Sequence, residues 1–121
     1  MYHGNILIDI NVKEVMMMTN LEFIKRVKLI SDETRLQIIE YLSDNGTKCA
    51  CRILEALNIT QGTLSHHMKL LCEENITTCK KEGKWCYYTL NKEAICDLTY
   101  FLHDICKTKE NDKEKCCCCG E

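Results

Sequence analysis

Proline is missing from this 121-residue sequence altogether. Helices must therefore be delimited by capping residues and by glycine or asparagine turns, because the ring that cannot continue a helix is not there to stop them. No apolar run reaches the length of a membrane span. The N-terminus lacks a basic stretch followed by an apolar core and a small-residue cleavage site, so it does not read as a secretory signal. A cytoplasmic protein with no membrane partner is the expectation. No nucleophile–base arrangement and no glycine-rich phosphate loop is found, which argues against an enzyme. A basic excess is missing too, since the formal net charge is −2. Nucleic-acid binding would have to rest on a local patch such as Lys80, Lys81 and Lys84 around Glu82-Gly83, doubled by a dimer.

Cysteine, by contrast, is abundant, with 11 copies. An odd count fits a secreted disulfide framework poorly, and in a reducing compartment cysteines point to metal ligands or redox centres. Cys49 and Cys51 form a C-x-C pair, and Cys116, Cys117, Cys118 and Cys119 form a terminal block. Cys72, Cys79, Cys86, Cys96 and Cys106 are scattered. The first three of these read as small packed hydrophobes.

The chain divides into three parts. Residues 1–18 are largely apolar without helical period and end in Lys13-Glu14-Val15 before Met16-Met17-Met18. That triplet can be encoded by a purine-rich ribosome-binding sequence, so the segment reads either as a leader ahead of a true start within Met16 to Met18 or as a short genuine extension. Residues 19–107 hold one domain, for which a 45% hydrophobic content supplies a modest core. Residues 108–121 are a charged run and a cysteine block, read as a flexible tail.

Within the middle part, Thr19 or Asn20 can cap a first helix in which Leu21, Ile24 and Val27 follow helical spacing, and Ser31 or Asp32 a second whose apolar face is Leu36, Ile39, Tyr41 and Leu42. A short helix over 50–57, a tight link at Asn58-Ile59-Thr60 and a helix over about 61–74 form a helix-turn-helix. Leu64, Met68 and Leu71 are its expected inward residues. Two strand-like runs, 76–81 and 85–90, flank Glu82-Gly83-Lys84 and predict a hairpin wing. Asn91 can cap a last helix, where Ile95, Leu98, Leu102 and Ile105 recur at roughly coiled-coil spacing. The expected fold is mostly α with a small β-hairpin, a winged helix-turn-helix.

A DNA-reading helix buries one face and presents short polar donors on the other. Gln61, Thr63, Ser65, His66, His67 and Lys69 meet that need, with Gln61 suited to a base edge. Lys81 and Lys84 suit phosphate or minor-groove contact from the wing. His66 and His67 do not suit a shared metal ion, since adjacent helical residues diverge by about 100°.

Three runs carry a family resemblance: Asp32-Glu33-Thr34-Arg35-Leu36, then Thr60-Gln61-Gly62-Thr63-Leu64-Ser65-His66-His67-Met68-Lys69-Leu70-Leu71, then Glu82-Gly83-Lys84-Trp85-Cys86-Tyr87-Tyr88. Together they resemble the ArsR/SmtB family of metal-responsive repressors. Glu33 and Gly62 depart from it, standing where proline, or proline and alanine, are common. The resemblance implies a homodimer joined by its first and last helices, which binds double-stranded operator DNA and releases it on binding an inducer.

For the inducer, thiolates select soft ions, whereas imidazole and carboxylate suit harder ones. The last helix offers only Asp97, His103 and Asp104 and no Asp-x-His pair, so a zinc-type site is not expected there. The segment Thr47-Lys48-Cys49-Ala50-Cys51-Arg52-Ile53-Leu54 resembles the arsenic-binding segment of the ArsR branch, Cys49 and Cys51 matching its first two thiols. Leu54 stands at the third position. In a regular helix the two thiols would diverge by about 200°, so they converge only if the helix start is distorted. A third sulfur could come from Cys116 to Cys119. The expected inducer is As(III) or Sb(III), with Cd(II) or Pb(II) as the near alternative and thiol redox or persulfide sensing as a different class. No cofactor is expected for folding.

Overall fold

A computed structural model describes residues 18–107. The expectations for the leader, the tail and its four cysteines lie outside the described residues.

Helix α1, Asn20–Ile30, opens with a capping box: the Thr19 hydroxyl accepts from the Glu22 amide and the Glu22 carboxylate accepts from the Thr19 amide. Helix α2, Glu33–Asn45, is capped by the Asp32 carboxylate, which accepts from the Arg35 amide at 3.0 Å. Gly46, at φ 74°, ends α2 in a backbone conformation that favours glycine. Strand β1 is Lys48–Cys49, and α3, Ala50–Leu57, follows at once. Asn58 turns the chain in the left-handed region, and the Thr60 hydroxyl caps α4, Gln61–Glu73. Strands β2, Thr77–Glu82, and β3, Trp85–Leu90, form the hairpin, and α5, Lys92–Cys106, closes the described chain. In the tip between β2 and β3 only Gly83 has positive φ, the pattern of a II′ turn.

The core is Ile38, Ile39, Leu42, Ile53, Leu64, Met68, Leu71, Ile76, Leu90 and Ala94. All three expected inward residues of α4 lie in it. In α2 the spacing misled at one place: Leu36 is 47% exposed, and Ile38 is fully buried instead. Asn91 occupies the N-cap position of α5, but its side chain does not cap; its amide donates to the Asn75 carbonyl and ties the start of α5 to the end of α4.

The hairpin has a third strand that alternation could not show. Strand β1 has two residues, paired antiparallel to β3 with Lys48 opposite Tyr88 and Cys49 opposite Tyr87, giving the order β1-β3-β2. The start of α3 is thereby hydrogen-bonded into the sheet that carries the wing. Helices α1 and α5 pack together through Phe23 and Phe101, whose rings stack with centroids 4.1 Å apart. No helix among the described residues is long and apolar enough to cross a membrane.

Candidate nucleic-acid interface and thiol pair

Helix α4 stands on its inward row, Leu64, Met68 and Leu71, and turns its polar row outward. Gln61, Ser65 and Lys69 recur every four residues and share one exposed stripe; Thr63 and His66 are exposed as well. The Thr60 hydroxyl donates to the Thr63 hydroxyl at 2.9 Å, which leaves the Thr63 proton free to donate onward. Lys81 and Lys84 are exposed on the wing. Lys80 is engaged with Glu82 at 3.5 Å, so the wing's uncommitted cations are the two that the sequence singles out.

His67 differs from its neighbours. It is half-buried, and its Nδ1 lies 3.1 Å from Nη1 of Arg35. A guanidinium only donates, so Nδ1 accepts and the ring proton sits on Nε2. Burial pushes the imidazole below its ordinary value; Arg35 and His66 add to this, and Asp32 opposes them. The Arg35 side chain also donates through Nε to the Leu29 carbonyl. One side chain thus joins the end of α1, the start of α2 and the middle of α4. Arg35 lies inside the Asp32-to-Leu36 run, but charge and spacing gave no sign of this bridging role. The His66 and His67 rings meet edge to face, with centroids 5.3 Å apart.

Cys49 and Cys51 come together. Their Cα atoms are 5.5 Å apart and the sulfurs are paired. No helical distortion is involved, contrary to the expectation. Cys49 is the N-cap residue, with extended backbone at φ −72° and ψ 157°, and only Cys51 is helical. Leu54, one turn further on, packs against the core and offers no ligand. On α5, Asp97 is half-buried, and burial holds its carboxyl above the ordinary range against the opposing Arg26; His103 and Asp104 are exposed. Among the described residues no three His, Cys, Asp or Glu side chains stand at spacing for a metal ion.

Residues 32–77, which run from the cap of α2 into β2, match the family described as bacterial regulatory protein, arsR family. The arsenical resistance operon repressor of Bacillus subtilis (strain 168) is 33% identical over 94 residues, covering 78% of this chain and 88% of that protein. The chain belongs to the ArsR family. It is a helix-turn-helix transcriptional regulator and not an enzyme. A Staphylococcus aureus homologue of the cadmium resistance regulatory protein CadC is 34% identical over 93 residues, covering 75% of this chain and 77% of its own. An ArsR-like transcriptional regulator from Rhodococcus sp. RHA1 shares the fold, with TM-score 0.64, 20% identity, and coverage of 70% of this chain and 79% of that one. In the ArsR frame, α3 and α4 are the helix-turn-helix and the β2–β3 hairpin is the wing.

Proposed function

We propose that this ArsR-family protein is a homodimeric repressor that holds double-stranded operator DNA through α4 and the wing, and that As(III) or Sb(III) releases it by binding Cys49 and Cys51. In this reading Gln61 reads a base edge. Thr63, Ser65, His66, His67 and Lys69 contact bases or phosphates, and Lys81 and Lys84 hold the backbone. The observation that carries the trigger is the convergence of Cys49 and Cys51 at the first residues of the helix-turn-helix. Reduced, the pair offers two thiolates to one soft ion, and a third from Cys116, Cys117, Cys118 or Cys119 would complete a trigonal set. Because Cys49 belongs to β1, drawing a third ligand onto it pulls on both α3 and β3. Relatives named for arsenical resistance support the metalloid, and the cadmium-resistance relative supports Cd(II) or Pb(II) as the next choice.

Dimerisation is supported by apolar surface. Leu21 and Ile24 on α1 and Leu102 and Ile105 on α5 are 47–74% exposed, on the two helices already joined by Phe23 and Phe101. Large apolar side chains gathered on one face mark an interface.

A second reading has its own observation: the paired sulfurs of Cys49 and Cys51 are the product that an oxidant would form in a thiol sensor. Operator binding by fluorescence anisotropy separates the two. The reduced protein should leave the operator on adding arsenite or antimonite, and Cys49→Ser should not. Wild-type release by Cys49→Ser refutes the site. Release by oxidant and none by arsenite establishes the redox reading.

A further inference from the structure

Cys72, Cys79 and Cys86 are not the packed hydrophobes that the sequence suggested. Cys79 is exposed and the other two are half-buried. The hairpin register opposes Thr77 to Leu90, Cys79 to Tyr88 and Lys81 to Cys86. Side chains alternate along a strand, so Thr77, Cys79, Lys81, Cys86, Tyr88 and Leu90 share one face, and buried Thr77 and Leu90 make it the inner one. Cys79 and Cys86 are diagonal neighbours on that face. Cys72 enters from the last turn of α4, its Sγ 3.2 Å from the Thr77 hydroxyl. Three thiols from three elements are therefore neighbours where the reading helix abuts the wing.

We propose that Cys72, Cys79 and Cys86 form a second thiol site, one that takes a trivalent, three-coordinate thiophilic ion of the arsenite class. The choice of ion rests on the thiophilic-inducer reading above; the site itself does not. Three sulfurs suit a trigonal pyramid, whereas zinc requires a fourth ligand. The Tyr88 phenol on the same face is a poor fourth ligand: burial first, then Cys79, Cys86 and Cys72, push it up to about 12. Lys81 on the same face further disfavours a dication. Burial also pushes the Cys79 thiol up, and the Cys86 and Cys72 thiols push it the same way, so the three do not ionise together unaided. Arsenous acid meets this by exchange. Three S–H and three As–OH bonds break, three As–S bonds form, and each thiol proton leaves with a hydroxide as water, with no change of oxidation state.

The thiols do not stand at ligand spacing as they are, so closure requires their side chains to rotate inward. Cys72 would leave Thr77, and Cys79 and Cys86 would draw the two wing strands toward the end of α4. Lys81, opposite Cys86, would move with them. The site is thus placed to act on reading helix and wing at once.

The test uses the full chain with Cys49, Cys51 and Cys116 to Cys119 all changed to Ser, reduced and titrated with sodium arsenite under native mass spectrometry. One arsenic per chain is expected, with the loss of three water molecules' mass relative to added arsenous acid. Adding Cys72→Ser, Cys79→Ser and Cys86→Ser should abolish it. Should that variant fail to fold, exposed Cys79→Ser alone serves, and it too should lose the tightly bound ion. No arsenic on the first variant, or undiminished arsenic without Cys79, overturns the site. Zinc chloride bound in place of arsenite overturns the ion class. None of these outcomes depends on operator release, so failure of the Cys49–Cys51 trigger is read separately.

Discussion

Arg35 and His67, 32 residues apart in sequence, meet at 3.1 Å and fix the reading helix against the junction of α1 and α2. His67 is two residues from both Ser65 and Lys69, about 200° around the helix, so the contact holds α4 from the side away from the exposed stripe. Removing the acceptor should leave a half-buried guanidinium donor unmatched. His67→Ala is expected to lower stability by about 1–3 kcal/mol. His67→Gln, which can still accept, should lose less. Urea unfolding followed by circular dichroism measures both; equal losses would assign the effect to packing alone.

Burial of His67, with a smaller contribution from Arg35, makes stability depend on pH. His67 is held below its ordinary value of about 6.5, so above that value folded and unfolded chains are both neutral there. As pH falls through about 6.5 the unfolded chain takes the proton first, and stability falls until the lowered folded value is reached. The contribution is thus present at neutral pH and lost on acidification. In His67→Gln the fall between pH 7 and 5 should be shallower than in the wild type. Unfolding midpoints across that range check it.

Gln61 and Lys84 should fail in different ways. Gln61→Ala is expected to weaken the operator by about 1–3 kcal/mol while sparing random DNA. Lys84→Ala should weaken both alike and reduce the salt slope by about one. Anisotropy titrations at several salt concentrations measure all four quantities. Equal effects of Gln61→Ala on both DNAs would remove it from base reading.

Leu102→Glu places a charge on the apolar surface that α1 and α5 expose together. The variant should sediment as a monomer and lose operator affinity, while its circular dichroism stays that of the wild type. A wild-type sedimentation coefficient would move the dimer contact elsewhere.

Most of the fold could be read along the chain because its signals are local. Thr19, Asp32 and Thr60 cap the helices they were expected to cap, and Leu64, Met68 and Leu71 fall inward at helical spacing. What escaped was contact between distant segments. Strand β1 has two residues, too few for any alternation, and exists only because β3 lies beside it. That strand places Cys49 outside the helix, and so helical geometry gave the wrong angle for the thiol pair. Leu36 satisfied the period but faces outward, since adjacent Ile38 and Ile39 already fill the core side of α2. Arg35, within a conspicuous motif, revealed its role only when α1, α2 and α4 were brought together. Cys72, Cys79 and Cys86 looked scattered because their spacings of seven residues correspond to no single element.

The chain has a single tryptophan, Trp85, and it stands half-exposed at the first position of β3, opposite Glu82 beside the wing tip. The molecule therefore comes with its own optical label. Its emission arises from one place, accessible to a soluble collisional quencher, and DNA lying against the wing would shield it. Operator occupancy can then be followed on the unlabelled protein, in real time.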